Sequence, residues 1–269
     1  MAIMQAEELL AALPQSWQRR LGGYRFQSVE HGMSGAWIFR LYGPRSAASP
    51  TLYLKAAPAD ALAEFRSELE RTRWLAKRTV TVPDIIDTFE SGRLGAALMT
   101  ALPGLHPDEA AMPAADIVAH LARGLAALHA LSAADCPFDE STAARLTRAA
   151  TMIAEGRVDR DEFDGRNLGR SPLEIYHRLA ADAPRIAADI VLVHGDASFA
   201  NLLIGGDGKL GFIDCGHAGR GDRYLDLEAV TNDIEEHFGP QWIEPFARDY
   251  GITLDSAKLR FFDDLYELF

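Results

Sequence analysis

The stretch IVLVHGDASFANLLIGGDGKLGFID, residues 190–214, decides the reading of this chain. Ile190 to Val193 is a short apolar run and reads as a buried strand, which delivers His194-Gly195-Asp196 into a loop. Asn201 follows five positions after Asp196. Leu202–Ile204 and Leu210–Ile213 are two further apolar runs joined by Gly205-Gly206-Asp207-Gly208, the pattern of a β-hairpin. Asp214 leaves the second strand ahead of Cys215-Gly216. The stretch thus puts an acid and an amide on one loop and returns a second acid beside them.

That arrangement suits phosphoryl transfer from ATP. The reaction needs a carboxylate to position the attacking hydroxyl and oxygen ligands for the magnesium that bridges the phosphates. An Asp, an Asn five residues later and an Asp leaving a hairpin follow the order of protein-kinase catalytic and metal loops. Asp196 is therefore the candidate catalytic residue, and Asn201 and Asp214 the candidate Mg²⁺ ligands. Loop capping by these three residues is the competing account. The strand before HGD, the D-x-x-x-x-N spacing and the I-D-x-G after the hairpin together argue against it.

The segments HGDASFANLL and GFIDCG resemble the aminoglycoside phosphotransferases, most narrowly the 3′-O-phosphotransferases (kanamycin kinases). Val158-Asp159-Arg160-Asp161-Glu162-Phe163-Asp164 and Leu265-Tyr266-Glu267-Leu268-Phe269 narrow the likeness, which runs from about Trp17 to Phe269. The resemblance implies an α+β, bilobal, protein-kinase-like fold. Its small N-terminal lobe would carry an antiparallel sheet, and its C-terminal lobe would be mainly helical. It implies ATP as phosphoryl donor, with GTP as an alternative, Mg²⁺, and an aminoglycoside hydroxyl as acceptor. A kinase for another small hydroxylated amine, or a nucleotide-binding scaffold of the same fold, is the alternative.

Composition fits this picture. The 269 residues are 48% apolar, enough for a sizeable core in one domain or two lobes. A net charge of −12, from 27 basic and 39 acidic residues, disfavours nucleic acid and suits a polycationic ligand. Cys136 and Cys215 are far apart, with no disulfide framework, and point to a reducing compartment. The first fifteen residues lack the basic start and apolar run of a signal peptide, and no segment reaches membrane-span length. A cytoplasmic monomer or weak dimer is expected, without nucleic-acid or membrane partners.

Upstream, strands are expected at Tyr24–Val29 and Ala36–Leu41, with His31-Gly32-Met33-Ser34-Gly35 between them. On the residues alone this link is an ordinary hairpin turn. In the resembling family it covers the nucleotide phosphates, and Ser34 is the residue carried over. Thr51–Lys55 reads as a strand ending in lysine, and residues 60–76 as a helix with Leu62, Phe65 and Leu69 on one face. A kinase site needs a strand lysine on the α/β-phosphates, held by a helix glutamate. Lys55 with Glu68 fits, and Glu64 is the weaker candidate. Ala96–Leu102 reads as an apolar strand stopped by Pro103-Gly104, a natural lobe boundary. The expected lobes are residues 1–102, binding nucleotide, and 103–269, carrying catalysis and the aminoglycoside. Met99 to Leu102, with Met99 and Ala101 foremost, would line the adenine edge in a kinase-like fold.

From Asp116 the chain turns helical, with Val118, Leu121, Leu125 and Leu128 as an apolar stripe. His129 at its end reads as packing or capping. Asp159, Asp161, Glu162 and Asp164 form an acidic run, ordinarily a solvated face. The resemblance places Asp159, Asp161 and Glu162 in the aminoglycoside pocket, together with Glu267 and the terminal carboxylate of Phe269. A polyamine is well served by carboxylates on several sides. The chain departs from the family at His217 and Asn232, where arginine is common, which bears on substrate range and efficiency.

Overall fold

A computed structural model describes residues 5–29, 36–44, 48–160, 163 and 165–269. The chain divides into two compact units, residues 1–103 and 104–269. Among the described residues no helix is long and apolar enough to cross a membrane.

The first unit is built on a five-stranded antiparallel sheet of order β1-β2-β3-β5-β4. Its strands are β1 (Arg25–Val29), β2 (Trp37–Tyr42), β3 (Leu52–Pro58), β4 (Ile85–Ser91) and β5 (Leu94–Thr100). Helices α1 (Ala6–Ala12) and α2 (Gln15–Leu21) precede the sheet, and α3 (Leu62–Ala76) follows β3. Side chains alternate across a strand, and here both faces are covered. Leu54, Ala56, Leu94, Ala96 and Leu98 pack with Leu9, Leu13, Trp17 and Leu21. Ala57 and Ala97 pack instead with Phe65 and Leu69 of α3. The helix lies so close that a Cβ on Gly95 would stand 2.7 Å from Leu62 and 2.9 Å from Phe65. β3 runs three residues beyond Lys55, so the lysine is inside the strand rather than at its end. β4 gave no strand signal because it is an edge strand with Asp87 and Glu90 facing out. Asp87 is held there by the Trp17 indole N–H at 2.8 Å. The turn containing Ser34 lies outside the described residues.

The second unit is mainly helical: α4 (Ala114–His129), α5 (Thr142–Ala154), α6 (Pro172–Asp182), α7 (Tyr224–Phe238), α8 (Ile243–Tyr250) and α9 (Ser256–Tyr266). Local chemistry sets several starts. Ser141 caps α5, Ser171 and Glu174 form a capping box ahead of Pro172, and Asp255 caps α9. Three strands form a small sheet of order β6-β10-β7, namely β6 (Asp139–Glu140), β7 (Ile190–Val193) and β10 (Gly219–Asp222). The hairpin of β8 (Leu202–Ile204) and β9 (Leu210–Phe212) stands beside it, as the glycine-rich link requires. β10 reads Gly-Arg-Gly-Asp and has no strand propensity. It forms because β6 and β7 supply partners on both edges.

Candidate active site

In the first unit, alternation along β3 decides where Lys55 goes. Leu54 and Ala56 face α1 and α2, so Lys55 faces α3, opposite Ala97 in the ladder. There its Nζ donates to Glu68 Oε2 at 2.6 Å, with both side chains almost wholly buried. A buried pair is weak evidence of net stabilisation, since desolvating two charges offsets most of their attraction. It does fix the lysine in one position. Glu64, the weaker candidate, is exposed. Met99 is half-buried on β5, and the Ala101 N–H donates to the Thr51 carbonyl at 3.1 Å. That N–H is therefore engaged within the first unit, at the end of the sheet.

In the second unit, β7 ends inside the protein and its last turn carries the sequence-predicted acid. Asn201 Nδ2 donates to Asp196 Oδ2 at 2.8 Å and to the Asp196 carbonyl at 3.0 Å. With its nitrogen so engaged, Asn201 presents its oxygen away from the acid. Asp196 Oδ1 is buried without a hydrogen-bond partner among the described residues. Asp214 is exposed and left-handed, at φ 53° and ψ 56°, a sparse region for a residue with a side chain. Burial pushes the Asp196 carboxyl above its usual range, and the charge of Asp214 adds to this. The His194 ring, the Arg145 guanidinium and the Asn201 hydrogen bond pull the other way without cancelling it.

The loop is held from behind by residues that local spacing did not reveal. Asp226 on α7 is fully buried and accepts from the backbone N–H groups of His194 at 2.8 Å and Gly195 at 2.6 Å. It accepts as well from His129 Nε2 at 2.9 Å, while His129 Nδ1 meets the Tyr250 hydroxyl at 2.6 Å. The packing role expected of His129 is thus the one it has. Burial opposes the charge on Asp226, but the hydrogen bond and charge of His129, with His194, outweigh burial and lower its pKa. Gly195 has φ +83°, and a Cβ there would lie 2.2 Å from the His217 carbonyl oxygen. Its own carbonyl accepts from Arg145 Nη2 at 2.5 Å. Arg145 comes from α5 and is paired with fully buried Glu140 at 3.0 Å.

Glu228, two residues beyond Asp226 on α7, is a second acid within electrostatic reach of Asp196. It is 4% exposed and accepts from the Asn232 amide, which also reaches Asp263 at 3.3 Å. Burial and the charges of Asp233 and Asp196 push Glu228 up to about 8, against the pull of Arg166. The folded protein therefore keeps this proton while the unfolded chain, near 4.5, has lost it. Stability falls with pH across that window because the native state binds more protons. Glu228→Gln removes the penalty and keeps an acceptor for Asn232. The variant should be more stable than the parent by a margin that grows from pH 5 to pH 8, reaching a few kcal/mol at most and seen as a widening Tm difference. Thermal melts at both pH values check this, and a constant margin would refute it. The Tyr266 hydroxyl is likewise pushed up, first by the charge of Asp196 and then by burial and Glu228. Tyr266 therefore lies within electrostatic reach of the loop.

The remaining predicted residues divide. Asp159 is exposed, and Asp161 and Glu162 lie outside the described residues. Glu267 Oε2 accepts from Asn167 Nδ2 at 2.6 Å, and the same nitrogen donates to Asp264 at 2.8 Å. Arg178 donates to Asn167 Oδ1 at 2.9 Å. Fully buried Asn167 thereby ties the segment after the acidic run to α9. Phe269 lies under the Arg145 guanidinium, whose carbon is 5.3 Å from the ring centroid. Asp226 had one legible signal, an acid between leucines on an otherwise apolar helix start. Arg145 and Glu140 had none.

Known proteins resemble this chain over most of its length. The profile of the APH phosphotransferase enzyme family matches residues 9–262. An aminoglycoside 3′-phosphotransferase from Escherichia coli is 33% identical over 269 aligned positions, covering 96% of each chain. The crystal structure of an aminoglycoside-3′-phosphotransferase of type VIII superposes with TM-score 0.83 at 32% identity, covering 95% of this chain and 97% of that one. Aminoglycoside phosphotransferase APH(3″)-Id from Streptomyces rimosus superposes with TM-score 0.83 at 27% identity, covering 98% and 99%. That enzyme has also been solved in complex with ADP and streptomycin.

Proposed function

The chain belongs to the APH phosphotransferase enzyme family, and from that premise we propose that it transfers the γ-phosphoryl group of ATP to an aminoglycoside hydroxyl and so confers resistance. The acceptor is the 3′-hydroxyl of kanamycin- or neomycin-type compounds. The observation that carries this reading is the Asp196–Asn201 pair at the end of β7, with Asp214 returned by the hairpin.

Asp196 orients the attacking hydroxyl through Oδ1, the atom without a partner among the described residues. A sugar hydroxyl is too weak an acid for early deprotonation, so orientation and charge stabilisation dominate. The oxygens of Asn201 and Asp214 are the hard donors that Mg²⁺ favours, and Asn201 fits because its nitrogen is already engaged. The ion would neutralise phosphate charge there. Lys55, fixed by Glu68, meets the α/β-phosphates, Ser34 covers them, and the adenine edge falls to Met99 to Leu102, with Met99 and Ala101 foremost. Residues 1–103 are the nucleotide-binding half, and residues 104–269 supply catalysis and the acceptor site. Asp159, Asp161, Glu162, Glu267 and Phe269 receive the ammonium-bearing rings.

Coupled ADP release with Mg·ATP tests this. Kanamycin should be turned over and the 3′-deoxy compound tobramycin should not. Turnover of both would move the target hydroxyl. The streptomycin complex of the Streptomyces rimosus relative makes streptomycin the necessary third substrate. Its exclusive turnover would transfer the assignment to that class. No turnover of any of the three would overturn the reading and point to His217 and Asn232.

A further inference from the structure

Arg145 is a cation kept where water cannot reach it, and the environment opposes its charge. Its side chain is 4% exposed, and burial is the main influence lowering its pKa. Such a group is costly unless its hydrogen bonds and partners are complete. Its Nη2 donates to the Gly195 carbonyl at 2.5 Å, one residue before Asp196. Its Nε lies 3.0 Å from Glu140, which belongs to the β6–β10–β7 sheet and is fully buried. The guanidinium carbon lies over the Phe269 ring, 5.3 Å from its centroid and within cation–π reach. Phe269 itself is carried by Leu268, which is fully buried, and by its N–H bond to the Tyr266 carbonyl at 3.1 Å.

These contacts join two regions far apart in sequence, the loop that holds Asp196 and the segment that holds Glu267 and Phe269. We propose that Arg145 is a positioning residue that couples Phe269 to the Asp196 loop, so that an acceptor seated against Phe269 fixes the loop for transfer. The coupling rests on the phosphotransferase reading of Asp196 above. Arg145 touches no reacting atom in this scheme. Its planar fork is required because one group must serve a carbonyl, a carboxylate and an aromatic face together. A lysine ammonium could reach the carbonyl and the carboxylate, as Lys258 does with Ala187 and Asp222, but it has no planar face to lay over the ring.

The consequence is a split between binding and rate. A loop misplaced by about 1 Å can lower the rate on the order of 100-fold with little effect on nucleotide affinity. Arg145→Met, Arg145→Lys, Phe269→Leu and the two double variants are assayed with Mg·ATP and the accepted aminoglycoside. Arg145→Met should lose roughly 100-fold in kcat with KM for ATP unchanged, and Arg145→Lys should recover part of it. Phe269→Leu should lower kcat in the parent but add little to Arg145→Met, because the coupling is already gone. Multiplying effects in the double variant would overturn the proposal, as would a normal kcat in Arg145→Met. Thermal melts report whether Arg145→Met folds, and Arg145→Lys carries the test if it does not. Wild-type protein that turns over no aminoglycoside would instead count against the proposed function. The series would then be read on Mg·ATP hydrolysis, where an undiminished rate in Arg145→Met would still overturn the positioning role.

Discussion

Asp196→Ala should lower kcat by about three to four orders of magnitude while Mg·ATP still shifts the melting temperature. The size follows from what the residue contributes. It is the carboxylate just after β7 whose buried Oδ1 has no partner among the described residues, and Asn201 already anchors the other oxygen. Nothing nearby can replace it, because the neighbouring acids are committed elsewhere. Asp226 accepts from three donors, Asp233 accepts from the Phe199 N–H at 2.5 Å, and Glu228 holds its proton up to about pH 8. Nucleotide stabilisation should survive, since Lys55 and Glu68 belong to the other unit. Single-turnover assays with thermal shift in parallel check both halves. A variant that retained more than a tenth of the parent kcat would remove Asp196 from the mechanism.

Asp226→Ala should cost on the order of 3–5 kcal/mol of stability and abolish most turnover in whatever remains folded. Three buried donors lose their acceptor together: the N–H groups of His194 and Gly195 and the ring of His129. Two of them belong to the catalytic loop, so the loop loses its mould as well as its anchor. Asp226→Asn should be nearly as damaging, because its amide nitrogen would face a donor. The sign of the pH dependence follows from the lowered pKa of Asp226. The stability it contributes is complete above the unfolded value near 3.8 and is lost as pH falls through the lower folded value. The difference between parent and Asp226→Ala in urea denaturation should therefore be flat from pH 5 upward and narrow below pH 4. A variant of parental stability would refute the anchoring role.

The loop that carries Asp196 was legible in sequence because its own signals lie within 25 residues, although its anchors do not. A strand, an Asp, an Asn five positions on and a glycine-linked hairpin are all local signals, and β7, β8 and β9 formed where they were expected. Lys55 was legible by residue type, and its partner by helical spacing, although the strand continues past it to Pro58. What was hidden depends on tertiary pairing. β4 has bulky residues but no clean apolar alternation, and β10 has neither, so both depend on the neighbouring strands that pair with them. Arg145 and Glu140 look like surface charges in sequence, and only the approach of Gly195 makes them a buried pair. The bond from the Ala101 N–H to the Thr51 carbonyl was equally hidden, since no local signal pairs those two residues.

The alternation along β3 has a further consequence for how chains of this fold can vary in length. Leu54 and Ala56 look toward α1 and α2, while Lys55 looks toward Glu68. Adding or removing one residue inside β3 would exchange the two faces. The ammonium would then enter the apolar layer of Leu9, Leu13 and Leu21, and a leucine would confront the carboxylate. Parity within this strand is thus a chemical constraint: drift in length can be absorbed before Leu52 or after Pro58, but between them only in steps of two.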